Sequence, residues 1–333
     1  VSPIIDEHYE KATFPMHILA GLGEIGAFGP YIPEEYGGPG LDQISYGLIM
    51  QELERCDSGL RSTASVQSSL VMYPIWKYGS EAHKQKYLPK LASGEMMGCF
   101  GLTEPDYGSN PGGMITNFKD AGDHVILNGA KMWISNAPFA DIAVVWAKDE
   151  TGRIYGIIVE RGMEGFSTPE MHGKLSLRAS ATGELIFDNV KVPKENLLGK
   201  VGEGFVYLMT ELAQERLVVA LAALALAEST YLITVEYVKE RPAFGKTVAD
   251  FQNTKYQLAQ LATELQMGRV YCDKLVELHQ EGQLDGANAS AAKLAMTELQ
   301  CKVADVCVQL HGGYGYMWEY QVARAYADAR VQR

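Results

Sequence analysis

The hydrophobic pattern changes its period twice along the chain. Up to about residue 92 apolar positions recur at helical spacing: Leu48, Ile49, Met50 and Leu53 keep one face through Glu52 and Glu54, and Val66 to Tyr73 gives a second such stretch before Pro74. Gly- and Pro-rich loops interrupt these helices, notably Pro33 to Gly40. From residue 93 to about 198 short apolar runs take over. His124 to Leu127 runs into an Asn128-Gly129 turn, and Asp141 to Ala147, Ile154 to Val159 and Glu184 to Phe187 follow. Asp149 to Gly152, Arg161-Gly162 and Asp188-Asn189 separate them, which predicts a compact antiparallel β domain and not a parallel Rossmann sheet.

From Gly202 the helical period returns. Phe205 to about Arg241 predicts one long helix, apolar on all sides at its centre and broken by Arg241-Pro242-Ala243-Phe244-Gly245. Asn253 to His279 and Ala287 to Leu310 predict two more, and a fourth starts at Val322 after Gly312-Gly313-Tyr314-Gly315. Long helices with short joins form a bundle. The expected fold is therefore mainly α with a central antiparallel β domain, in units 1–95, 96–198 and 199–333.

Composition narrows the function. Forty-one acidic against 29 basic residues give a formal charge of −12, which argues against non-specific nucleic-acid binding. Five cysteines without a C-x-x-C suggest a reducing compartment, and seven scattered histidines without H-E-x-x-H predict no metal site. The longest apolar run, Leu217 to Ala227, is short for a membrane span and reads as a buried helix. Val1 in place of Met, no leader segment, and a last helix still running at Arg333 suggest a piece of a longer chain.

Gly21-Leu22-Gly23-Glu24-Ile25-Gly26 matches G-x-G-x-x-G but follows a helical pattern, so close helix packing or a helix cap explains it better than a dinucleotide site. More informative is the loop from Cys99 to Asn110, followed by Gly129 to Asn136. Together they offer backbone donors, a hydroxyl and the flat face of Trp133, a combination suited to a planar cofactor; ordinary turns of a β domain are the plain alternative.

Four ordered blocks carry a family resemblance: Gly101-Leu102-Thr103-Glu104-Pro105 in the first loop, Lys131-Met132-Trp133-Ile134-Ser135-Asn136, Arg241 to Gly245, and Gln309 to Gly315. In these the chain resembles the acyl-CoA dehydrogenase family along essentially its whole length. The resemblance implies a helical N-terminal domain, a β-barrel-like middle domain and a C-terminal four-helix bundle enclosing FAD. It also implies a homotetramer built as a dimer of dimers, and electrons leaving to an electron-transfer flavoprotein. The implied reaction removes the α and β hydrogens of an acyl-CoA thioester to give the trans-2-enoyl-CoA. A bacterial source would place the protein in the cytoplasm, a eukaryotic one in the mitochondrial matrix.

By the same resemblance Leu102 and Thr103 bond the flavin pyrimidine, Trp133 and Ile134 lie against the isoalloxazine, and Ser135 donates near N5. Arg241, Phe244, Gln252, Gln309, Gly312 and Gly313 reach the FAD of a neighbouring subunit. Ser109 and Arg216 meet the CoA part of the substrate, although an ion pair with Glu211 or another helix-side acid is the alternative for Arg216. The base is expected at Glu215, because Gln214-Glu215-Arg216-Leu217 matches the long-chain and isovaleryl branches; other members place it in a tail segment past the last helix seen here. The N-terminal and middle parts look instead like glutaryl-CoA dehydrogenase, in which an Arg at the place of Arg61 meets the distal carboxylate. Rival readings are an oxygen-reactive flavoprotein of the same fold and a non-catalytic scaffold.

Overall fold

The computed structural model describes residues 1–200 and 202–333. The N-terminal unit consists of α1 (Ser2–Lys11), α2 (Leu19–Glu24), α3 (Gln43–Cys56), α4 (Ser58–Ser65), α5 (Tyr73–Tyr78) and α6 (Glu81–Ser93). Side-chain caps set where several begin: Asp42 accepts from Ser45 N at 2.7 Å and Asp57 from Leu60 N at 2.9 Å. A capping box of Ser80 and His83 opens α6, and Gly94 in the left-handed region closes it. Between α4 and α5, Val66–Met72 winds as a π-helix, a geometry that is rare and concentrated at functional sites.

The middle unit is an eight-stranded sheet: β1 (Gly98–Gly101), β2 (Asn117–Asp120), β3 (His124–Ser135), β4 (Ile142–Lys148), β5 (Ile154–Glu160), β6 (Phe166–Ser167), β7 (Thr182–Pro193) and β8 (Leu197–Leu198). It is mostly antiparallel, with the differences that β1 lies parallel to β4, from Gly98 beside Ile142 to Gly101 beside Val145, and that β2 meets β4 in parallel at Asn117 and Lys148. Two expected turns are instead bulges inside long strands. Asn128-Gly129 lies within β3 and Asp188-Asn189 within β7, and the pairing register shifts between Leu127 and Gly129. Asn189 N donates to Asn128 Oδ1 at 2.9 Å across the bulge, while Asn189 (φ 53°) and Gly129 (φ 137°) absorb the kink. Polar residues with positive φ mark a bulge as readily as a turn, and only the partner strand tells them apart.

Strands β4 and β5 are apolar at consecutive positions because both faces are covered. Ile142, Val144 and Ile158 join the helical core around Phe28, Met50, Met72 and Leu88, whereas Ala143, Val145, Ile157 and Val159 line the interior of the sheet.

The C-terminal unit comprises α7 (Gly204–Glu240), a small hairpin of β9 (Pro242–Ala243) and β10 (Lys246–Thr247), α8 (Gln252–Gln280), α9 (Gly286–His311) and α10 (Gln321–Gln332). Phe244 and Gly245 both have positive φ at the hairpin tip, as a type I′ turn requires. Helix α7 is long and apolar enough to cross a membrane, yet its apolar centre from Leu217 to Ala227 is packed against α8 and α9 through Leu261, Leu265, Ala292 and Val303.

Of the early glycines, Gly23 serves packing: a Cβ there would lie 2.1 Å from the carbonyl oxygen of Ser93, whereas nothing lies within 4 Å of one at Gly21. Gly23→Ala is therefore expected to lower stability by about 2 kcal/mol or more through forced backbone movement. Gly21→Ala should be neutral or gain up to about 1 kcal/mol from helix propensity. Urea unfolding of the two variants side by side checks the contrast.

Candidate active site

Strand β1 delivers the chain into the loop that starts at Leu102, and β3 runs alongside it to end in Trp133, Ile134 and Ser135. Leu102, Thr103, Trp133, Ile134 and Ser135 line one cavity of about 270 Å³, closed by Val66 and Leu70 of the π-helix, Phe100, and Leu212 of α7. The sequence-chosen cofactor residues of the middle unit thus converge on one place. Trp133 is 62% exposed and held at φ 64°, a left-handed conformation that is an outlier for a bulky side chain. Two bonds hold the backbone there: Met132 N donates to Thr103 O at 2.8 Å, and Asn136 N to Ala181 O at 2.9 Å. The Asn136 amide anchors the end of the strand through Gly98 O at 3.2 Å and, more weakly, Thr63 O at 3.4 Å.

Glu215 lies one turn beyond Leu212 on α7, so it faces the same side of the helix. It is half-buried, and its Oε1 is enclosed without a hydrogen-bond partner among the described residues. Burial raises its carboxyl pKa to about 7, against the opposing pull of the Ser69 hydroxyl and the Arg61 charge. The tyrosines at the site register the same acid: burial lifts the Tyr31 and Tyr46 phenols, and the Glu215 charge adds to it. Tyr46 donates to Ser69 Oγ at 3.0 Å and Tyr31 to Ser68 O at 2.9 Å, which ties both rings to the π-helix.

Arg61 is buried and its Nε bonds Glu54 Oε2 at 2.7 Å, with Nη1 3.3 Å from Ser65 Oγ. Glu54 is held in turn by Ser58 and Gln332, each at 2.7 Å from Oε1. The guanidinium charge is therefore balanced within the protein, while Nη2 bonds none of the described residues.

A second cavity of about 680 Å³ lies between the end of α7 and the end of α9 and gathers Arg241, Gln309, Gly312 and Gly313 with Tyr237 and Tyr314. Phe244 and Gln252 lie outside its lining. Phe244 is 96% exposed at the hairpin tip, and Gln252 donates to Tyr256 Oη at 2.9 Å. Ser109 sits on an exposed turn apart from both cavities. Arg216 forms no ion pair with Glu211, whose two carboxyl oxygens are buried and unpartnered among the described residues.

Family models match along the chain: the N-terminal domain of acyl-CoA dehydrogenase over residues 1–95, the middle domain over 99–190 and the C-terminal domain over 202–333. The chain belongs to the acyl-CoA dehydrogenase family. Glutaryl-CoA dehydrogenase of Desulfococcus multivorans is 42% identical over 96% of this chain and 83% of its own. The mitochondrial long-chain specific acyl-CoA dehydrogenase of Sus scrofa is also 42% identical, over 99% and 78%. The crystal structure of a glutaryl-CoA dehydrogenase from Mycobacterium smegmatis in complex with FADH2 superposes with a TM-score of 0.96 at 38% identity, covering all of this chain and 85% of that one. Acyl-CoA dehydrogenases are flavoprotein oxidoreductases, and both branches seen in the motifs recur among these relatives.

Sequence reasoning passed over Glu211, Ser69, Tyr46 and Glu54 as parts of the site. The four-residue spacing of Glu211 and Glu215 on an apolar helix and the seven-residue spacing of Glu54 and Arg61 were the available signals. Burial, and secondarily the Glu215 charge, raises the Glu211 pKa to about 9. Unfolding returns that group to an ordinary carboxyl value, so its contribution to stability declines as pH rises from about 4.5 toward 9. Glu211→Gln removes this decline. The variant should be more stable than the parent at pH 8 by about 1–3 kcal/mol, with the gap closing toward pH 4 in urea melts.

Proposed function

We propose that this acyl-CoA dehydrogenase binds FAD and oxidises an acyl-CoA thioester at its α,β bond, with Glu215 as the base. The observation that carries this reading is the position of Glu215: an enclosed carboxylate, pushed up to about 7, one helical turn from a residue lining the Trp133 cavity. The residues fit a flavin. Trp133 offers an exposed flat face, the Ser135 hydroxyl makes no bond to the described residues, and the Leu102-Thr103 segment supplies backbone next to them. FAD, when bound, supplies the acceptor for the hydride leaving the β carbon.

Glu215 takes the α proton, and its raised pKa matches a base that must be ionised near neutral pH yet basic enough to work. Ser135 presents its hydroxyl to the growing negative charge on the acceptor side. Val66, Leu70, Phe100 and Leu212 exclude water, which strengthens both effects. Arg241, Gln309 and the Gly312-Gly313 backbone form the second cavity, suited to a diphosphate through the guanidinium and close backbone approach. We assign that cavity to the cofactor of a second subunit, so that two chains complete each site. Family membership supports electron-transfer flavoprotein as the oxidant of the reduced enzyme.

A second reading concerns the acyl group. Arg61 lies near enough to Glu215 to act on its charge and retains Nη2 free of described partners, which favours a substrate with a distal carboxylate such as glutaryl-CoA. Against a purely electrostatic attraction, Glu54 already balances the guanidinium, so the gain would come from hydrogen bonding more than from net charge.

Glu215→Gln should bind acyl-CoA and lose on the order of 100-fold or more in dehydrogenation; full turnover by this variant would remove Glu215 from the mechanism. In the parent, kcat/KM for a neutral acyl-CoA should rise with pH to a plateau, with its midpoint near pH 7, because the ionised carboxylate is the active form. Arg61→Ala should weaken turnover of glutaryl-CoA about tenfold more than that of butyryl-CoA. Both substrates see the same variant, so any loss of folded protein cancels, and equal effects would reject the distal-carboxylate reading.

A further inference from the structure

Beneath the Trp133 cavity lies a fully buried ion pair that the reaction does not use. Lys131 is 0% and Glu104 2% exposed. Lys131 Nζ donates to Glu104 Oε1 at 2.9 Å and to the carbonyl of Leu102 at 3.1 Å. The carboxylate of Glu104 also accepts from Ile115 N at 2.7 Å and Thr116 N at 2.9 Å. With Met132 N on Thr103 O, two consecutive residues of β3 grip three consecutive residues of the loop, directly before Trp133. Gly101 leaves room for the lysine stem: a Cβ there would lie 3.2 Å from Lys131 Cγ and 2.8 Å from Leu185 Cδ1. Burial lowers the Lys131 pKa to about 8 against the support of Glu104. The pair is thus a costly way to gain stability, since apolar residues of the same volume serve a core at least as well.

Peptide geometry gives the pair a different use. In a trans peptide the C=O and the following N–H point in opposite directions. The Leu102 carbonyl is drawn inward to Lys131, so the Thr103 N–H is turned outward, and it bonds none of the described residues. Thr103 lines the cavity. We propose that Lys131 is a positioning residue for the cofactor: by holding the Leu102 carbonyl it aims the Thr103 N–H into the cavity as a fixed donor for the flavin ring. Glu104 keeps the ammonium in place and closes the loop through Ile115 and Thr116. This deepens the reading that the Trp133 cavity holds FAD and rests on it.

The test compares FAD binding to apo-protein of the parent, E104Q, K131M and K131M/E104Q, by flavin fluorescence quenching and by the rise in melting temperature that saturating FAD produces. Lys131→Met alone leaves a buried unpaired carboxylate, so the double variant carries the decision. There the single amide oxygen introduced at position 104 keeps one of the two backbone bonds, which run from Ile115 N to Oε2 and from Thr116 N to Oε1; E104Q carries the same loss and is the baseline against which the lysine bonds are read. We expect it to melt close to E104Q without FAD, to bind FAD at least about tenfold more weakly than E104Q, and to gain less on adding FAD. Glu104→Gln alone keeps the Leu102 bond and should bind FAD within about threefold of the parent although it melts lower. A double variant that melts like E104Q and binds FAD within about twofold of it would overturn the proposal. So would a double variant that fails to fold, or a loss of affinity that merely tracks melting temperature across the set, because either assigns the pair to stability. If the parent itself takes up no FAD, the reading of the cavity fails and the role of the lysine falls with it, whereas a parent that binds FAD leaves the variants to decide the lysine alone.

Discussion

Burial of the apolar centre of α7, from Leu217 to Ala227, is the constraint on which the site depends. Leu217, Leu221 and Leu224 pack into the bundle against Leu261, Leu265 and Val303, while Val218 joins the N-terminal core. A helix enclosed in this way cannot carry an ordinary carboxylate, because the surroundings that stabilise its leucines penalise charge. Glu215 and Glu211 stand at the start of that apolar stretch and both titrate well above the usual range. The packing that assembles the bundle and the chemistry that makes a base are two outcomes of one environment.

The opposite wall tempers that environment. The π-helix brings Ser69 to Glu215, and α4 brings Arg61 near it, so hydroxyl and guanidinium pull its pKa back toward neutrality. Glu211 lacks such partners and is displaced further. Arg61 is itself restrained by Glu54, and Glu54 is held by Ser58 and by Gln332 near the end of α10. The carboxylate at the centre is therefore set by a relay of polar contacts that starts on the last helix, with each member buried and none freely solvated.

The helix, β, helix order and the blocks that bring Leu102, Trp133, Arg241 and Gln309 to the two cavities were legible in the sequence because their signals are local. Helical and strand periods are written in consecutive residues, and the Trp133, Arg241 and Gln309 blocks each recur as short words. What was not legible depends on which distant segments meet. Asn128-Gly129 and Asp188-Asn189 look like turns until β3 and β7 are seen to pair through them. The parallel partner of β1 comes from more than forty residues downstream. Nothing in the residues next to Lys131 marks it as buried, and only the loop at Leu102 and Glu104 encloses it. Ser109 and Gln252 were chosen by family position, and the single chain leaves both at its surface.

Strands β4 and β5 put one residue into the helical core and the next into the sheet interior. The middle unit, although a separate stretch of sequence, is thus no detachable module. Cut free, it would present Ile142, Val144, Ile158 and Leu198 to water as a contiguous sticky face. Exchanging this unit between relatives would require re-fitting the helices that cover that face, so the family's three sequence segments are expected to have diverged in step along this seam.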